Sequence, residues 1–154
     1  MSPHKVAVLG ASENPERYSH QAMVLLRRQG YEVFPVHPAL EVIDGWPAVS
    51  SVRELPPVDT LTIYVASSRL PAMAEDIVRL KPGRVIFNPG TESAELQAAL
   101  DEAGIPWVEA CTLVMLRTGQ VYPGITARAP RWSPGEGGIK NPAERVGGEK
   151  KREE

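Results

Sequence analysis

Cysteine is almost missing from this chain: Cys111 is the only one in 154 residues, which excludes an intramolecular disulfide. Long apolar runs are missing too, and no stretch approaches the ~18 residues that a membrane-spanning helix requires. Met1-Ser2-Pro3-His4-Lys5 passes into a strand-like segment without the apolar core of a secretory signal. Charge of one sign is absent as well. The formal net charge of -2 leaves no broad field for nucleic acid or an anionic membrane as the main partner, so an anionic ligand must be held locally. H-E-x-x-H, C-x-x-C and G-x-S-x-G do not occur, which removes the metal, redox and serine-hydrolase signatures they carry. A cytoplasmic protein is expected.

What is there suits one globular domain: 42% of the residues are hydrophobic, enough for one sheet and its helices but not for a second catalytic domain of ordinary size. Apolar extended runs alternate with helical patterns. Val6 to Leu9 reads as a first strand, and Ser19 to Gln29 as a helix on Ala22, Met23 and Leu26, stopped by Gly30. Tyr31 to Val36 and Asp59 to Val65 read as strands two and three. Between them Trp46 to Val49 is a short extended piece and Ser51 to Leu55 one helical turn. Leu70, Met73, Ala74 and Ile77 form an apolar stripe with Ser68 as N-cap and Pro82-Gly83 as its end. Arg84 to Phe87 is strand four, Leu96 to Ala103 a helix closed by Gly104, and Pro106 to Glu109 strand five. Strands separated by helices at this spacing imply βαβ crossovers and a parallel sheet. The fold class expected is a three-layer α/β domain over residues 1–122 with a five-stranded parallel sheet in the order 3-2-1-4-5.

The last part of the chain differs in composition. From Pro123 onward the charge is +2 against -4 for the body, and six of the 13 glycines lie there. Such a segment buries too little apolar surface to offset its ordering entropy, so residues 123–154 are read as a tail, disordered from about Pro130.

In open α/β sheets ligands sit at the carboxyl ends of the strands, where helix N-termini offer unpaired N–H groups to anions. Four turns qualify: Gly10-Ala11-Ser12, Val36-His37-Pro38, Val65-Ala66-Ser67-Ser68 and Asn88-Pro89-Gly90-Thr91. In the first, Gly10 permits a phosphate to approach, the Ser12 hydroxyl can donate, and Arg17 can add a charge-assisted contact. The dinucleotide fingerprint G-x-G-x-x-G is not met, because Ser12 and Pro15 stand where glycines are needed. Strand two ends in His37-Pro38, without the acid that would accept the ribose hydroxyls of NAD or the arginine that would meet the 2′-phosphate of NADP.

Val6-Ala7-Val8-Leu9-Gly10-Ala11-Ser12, then Asn14-Pro15-x-Arg17-x-Ser19, then Gly30-Tyr31-Glu32-Val33-Phe34-Pro35-Val36-His37-Pro38 resemble the CoA-binding domain family. Its members are small Rossmann-like proteins similar to the N-terminal domain of the succinyl-CoA synthetase alpha subunit. The resemblance covers about Lys5 to Leu116 and implies coenzyme A or an acyl-CoA as ligand. It implies that Gly10, Ala11 and Ser12 cradle the pyrophosphate, flanked by Arg17 and Tyr18. His37 and Pro38 would line the side near the adenosine and its ribose phosphate, Val65, Ala66 and Ser67 the adenine-side wall, and Asn88, Pro89 and Gly90 the pantetheine exit. Small members often carry an aromatic-Arg pair after strand three and Gln-Leu-Gly after strand four. This chain has Val65-Ala66 and Asn88-Pro89-Gly90 there.

Catalysis has little to stand on. The synthetase uses a phosphorylated histidine in a second domain. Here His4 precedes the first strand, His20 lies in the first helix and His37 in a turn, so no pair shares an evident local face. Cys111 is read as a buried structural thiol. Glu75-Asp76 and Glu92/Glu95 are read as solvated helix faces. The expectation is non-catalytic binding of CoA. A divergent NAD(P)-dependent oxidoreductase is the alternative, and so is a regulatory protein with a vestigial nucleotide pocket that contacts a protein partner through its tail.

Overall fold

The computed structural model describes residues 4–118, so the tail and the disorder expected of it lie outside the described residues. In chain order the elements are β1 (Lys5–Leu9), α1 (Tyr18–Arg28), β2 (Glu32–Val36), a hairpin of β3 (Val42–Ile43) and β4 (Trp46–Pro47), β5 (Thr60–Ile63), α2 (Ala74–Leu80), β6 (Arg84–Phe87), α3 (Ala94–Ala103), β7 (Trp107–Glu109) and α4 (Thr112–Thr118). Every residue of β5 and β6 is buried, including Thr60, Thr62 and Arg84, as expected of parallel strands covered on both faces.

Alternation along the strands divides the core into two. Ala7, Leu9, Leu61, Ile63, Val85 and Phe87 pack with Ile77 of α2 and with Leu96 and Leu100 of α3. Val6, Val8, Ile86 and Val108 pack with Met23 and Leu26 of α1 and with Met115 and Leu116 of α4. Helices therefore cover both faces, and the domain is a three-layer α/β, Rossmann-like fold on a five-stranded parallel sheet.

The strand order differs from the expected one. The sheet runs β2-β1-β5-β6-β7, so the third main strand lies beside β1 and not outside β2. Pro35 supplies the reason. The Val36 carbonyl turns toward β1, accepting from the Gly10 and Ala11 amides, while the Pro35 carbonyl turns outward to accept from the Val49 amide at 3.1 Å. The N–H that Pro35 lacks is thus missing from the outer side of β2, and a strand without that donor belongs at an edge. Val49 closes this edge with an isolated parallel bridge to Val36.

Three local readings also change. The extended piece at Trp46 is one arm of a hairpin whose two-residue loop, Asp44-Gly45, has φ of +52° and +82°; Asp-Gly is the pair that such a loop favours. His20 of α1 hydrogen-bonds the Asp44 carboxylate, and the Arg27 guanidinium lies 4.6 Å over the Trp46 ring, so the hairpin is docked on α1. The stripe from Leu70 does not form one helix capped by Ser68: 3₁₀ turns at Ser67–Arg69 and Pro71–Met73 precede α2, and Pro71 has no N–H to donate to the Ser67 carbonyl and carry the first of these turns on as an α-helix. Finally, α4 was not anticipated, and it buries Leu113, Met115 and Leu116.

Candidate functional site

From β1 the chain goes outward to β2, then returns past β1 to β5. The connections leaving β1 and β5 therefore part to opposite faces, toward α1 and α2 respectively, and open a crevice at the carboxyl ends of the two strands. It is a cleft of about 780 Å³. All of the site residues read from the sequence line it except Ser67, Asn88 and Gly90.

Gly10 sits at φ +91°, and a Cβ there would stand 3.0 Å from both the Tyr64 carbonyl carbon and Val65 Cγ1. Its glycine character thus lets the end of β1 close against the end of β5. The amides of Gly10 and Ala11 both point to the Val36 carbonyl, at 3.3 and 3.1 Å, so they hold β2 in place and are turned away from the part of a phosphate cradle. The groups available to an anion begin one residue later. Ser12 Oγ accepts the Asn14 amide at 3.0 Å, which leaves its hydroxyl proton for another acceptor. Asn14 Oδ1 accepts the Glu16 amide at 2.9 Å and the Asn14 carbonyl accepts the Arg17 amide at 3.0 Å. These consecutive turns deliver the chain to α1.

The start of α1 has no side-chain cap and no acid in its first turn. The first turn of any helix leaves backbone N–H groups without intrahelical acceptors and carries partial positive charge. Among the described residues no acceptor is provided for the amides of Tyr18, Ser19 and His20. Arg17, the N-cap residue, lines the cleft beside them and is not ion-paired among the described residues. Tyr18, 65% exposed, presents its ring at the same mouth.

On the β2 side, His37 Nδ1 accepts the amides of Ala39 and Leu40 at 3.0 and 2.9 Å. In the neutral ring the proton therefore sits on Nε2, a donor. On the β5 side, the Tyr64 amide donates to the Leu9 carbonyl at 2.8 Å, Val65 is buried against Gly10, and Ala66 opens onto the cleft.

Asn88 is only 2% exposed. Its Nδ2 donates to Thr62 Oγ1 and to the Ile63 carbonyl, each at 2.8 Å, and its Oδ1 accepts the Thr112 amide at 2.8 Å. The side chain ties the ends of β5 and β6 to α4, and its polar atoms face inward. Gly90 donates its amide to Glu92. Pro89 and Thr91 are the residues of this turn that reach the cleft.

Other lining residues were not picked out in the sequence: Ser50 and Ser51, Tyr64, Arg69 and Asp76. Asp76, read as part of a solvated face, borders the cleft with its side chain 29% exposed, 3.4 Å from Arg53 Nε and 3.9 Å from Arg79 Nη1. The readable signal was Pro71, which holds the preceding segment out of α2 and at the cleft. Cys111 is partly exposed, not buried, and is outside the lining. Among the described residues no cluster of His, Cys, Asp or Glu is placed to hold a metal ion, and no helix is long and apolar enough to cross a membrane.

Comparison with known proteins places this geometry in context. Residues 4–117 match the family model described as the CoA binding domain. The chain is similar to the uncharacterized protein YneT of Bacillus subtilis, with 32% identity over 101 residues covering 65% of this chain and 75% of that one. A Thermus thermophilus structure shares 36% identity with a TM-score of 0.71, covering 77% of this chain and 90% of its own. A conserved hypothetical protein of Pyrococcus furiosus shares 34% identity with a TM-score of 0.66, covering 72% of this chain and 97% of its own.

Proposed function

Because the chain belongs to the CoA-binding domain family, we propose that the cleft between β1 and β5 holds coenzyme A, or an acyl-CoA, without turning it over. The observation that carries this reading is the open first turn of α1, with Arg17 alongside and an exposed tyrosine at the mouth. A pyrophosphate there accepts from the amides of Tyr18 to His20 and from the Ser12 hydroxyl, and Arg17 adds a charge-assisted contact. His37 offers the adenosine ribose one neutral N–H from Nε2, with Pro38 beside it. The absence of an acid at the end of β2 favours CoA over NAD.

A holding role is supported by how the polar groups of the cleft are engaged. His37 Nδ1 is taken by two backbone amides, which makes the ring a donor and not a base. Asp76 is engaged by two arginines, Arg53 and Arg79.

Calorimetric titration with CoA, dephospho-CoA, NAD and NADP tests the proposal. CoA should bind tightest, and incubated acetyl-CoA should be recovered intact by chromatography. Tighter binding of NAD than of CoA overturns the ligand assignment; steady loss of the thioester overturns the non-catalytic one.

A further inference from the structure

The cleft has a second arginine with no acidic partner among the described residues, Arg69, and it enters from the side opposite Arg17. Arg17 precedes α1, whose Met23 and Leu26 pack on one face of the sheet. Arg69 precedes α2, whose Ile77 packs on the other. The two arginines therefore border the crevice from elements on its two faces.

Arg69 is also anchored. Its amide donates to the Ala66 carbonyl at 2.9 Å and the Leu70 amide donates to the Ser67 carbonyl at 3.1 Å. Leu70 is wholly buried, and Pro71 fixes the next step of the chain. The neighbouring arginines serve otherwise: Arg53 and Arg79 both face Asp76, the carboxylate on this wall. An anion arriving here finds that charge already countered and meets Arg69.

From this arrangement we infer that the cleft takes a ligand with two separate anionic groups, and that Arg69 is the residue that reads the second one. The inference rests on the CoA reading above and narrows it. Coenzyme A carries negative charge in two places, the pyrophosphate and the ribose 3′-phosphate. With the pyrophosphate at α1 and Arg17, the group left for Arg69 is the 3′-phosphate, which dephospho-CoA lacks. Arg69 is then the specificity residue that separates CoA from other adenosine diphosphate derivatives.

Calorimetry on the full chain and on Arg69→Gln and Arg69→Lys, each with CoA and dephospho-CoA, tests this. The unaltered protein should prefer CoA by about tenfold or more, as expected for one charge-assisted phosphate contact. Arg69→Gln should remove that preference while leaving dephospho-CoA affinity unchanged, which also shows that the variant is folded. Arg69→Lys should keep part of the preference, and raising the salt concentration should shrink it. Equal affinity of the unaltered protein for the two ligands, or an equal loss of both in Arg69→Gln, overturns the role of Arg69 and leaves the CoA reading standing. Failure of the unaltered protein to bind either ligand overturns both.

Discussion

Gly10 and Asn88 each hold strand ends together, by opposite means. At Gly10 the requirement is steric, since a side chain would press on the Tyr64–Val65 backbone at 3.0 Å with φ at +91°. Gly10→Val should therefore lower stability by about 1–3 kcal/mol from backbone conformation, with a further overpacking cost of about 1–3 kcal/mol. Urea unfolding reads the sum, and wild-type stability in that variant would show that the turn has slack. At Asn88 the requirement is chemical. Asn88→Ala strands the Thr112 amide and removes the donor from Thr62 and Ile63, and orphaned buried groups cost about 1–3 kcal/mol each. A loss near 3 kcal/mol in chemical denaturation is expected, and a change under 0.5 kcal/mol, the size of an ordinary surface substitution, would contradict the clasp. Both residues were visible in the sequence as members of strand-end turns. Their roles were not, because those depend on which strand lies alongside.

Among the elements, α1 carries the centre of the proposed site, and its open first turn makes a test with two readouts of opposite sign. Tyr18→Glu puts a carboxylate where the helix now has none, which should raise stability by about 0.3–1 kcal/mol through the helix dipole. The same charge should weaken CoA binding, measured by titration at low salt; stronger binding would place the phosphates elsewhere. The strands and helices that build this region were legible from apolar runs and their period. Ser12, Arg17, His37 and Pro38 followed because the ends of β1 and β2 could be located, and Tyr18 followed from the family resemblance. Three features escaped. The order of the sheet was written in Pro35, whose missing N–H assigns β2 to an edge. The late start of α2 was written in Pro71, and with it the presentation of Arg69 at the cleft. The seven residues of α4 are too few to show a period, and their helix is fixed by packing of Met115 and Leu116 beside Met23 and Leu26.

At the scale of the molecule, the two ends of the sheet do different work. The cleft occupies the carboxyl ends of the strands, whereas His4 and Tyr31 lie at the amino ends, ring against ring at 5.6 Å. Burial holds the His4 imidazole below its ordinary value of 6.5, with Asp59 opposing and Arg84 assisting. Burial pushes the Tyr31 phenol up to about 12 from 10.0, against the pull of Arg84. Folded His4 resists a proton that the unfolded chain accepts, so stability should fall as pH drops below about 6.5. Folded Tyr31 keeps a proton that the unfolded chain releases, so stability should also fall as pH rises from about 10 to about 12. Denaturation across pH should show both limbs, with His4→Gln flattening the acid one and Tyr31→Phe the alkaline one while CoA affinity holds. A loss of affinity in either variant would show the two ends to be coupled. The outer side of β2 has a consequence for the protein in concentrated solution. An exposed sheet edge is a template for strands of other molecules. Here Pro35 offers no donor, and the Pro35 carbonyl and the His37 amide are occupied by Val49, so the chain carries its own guard against growth into fibrils along that side.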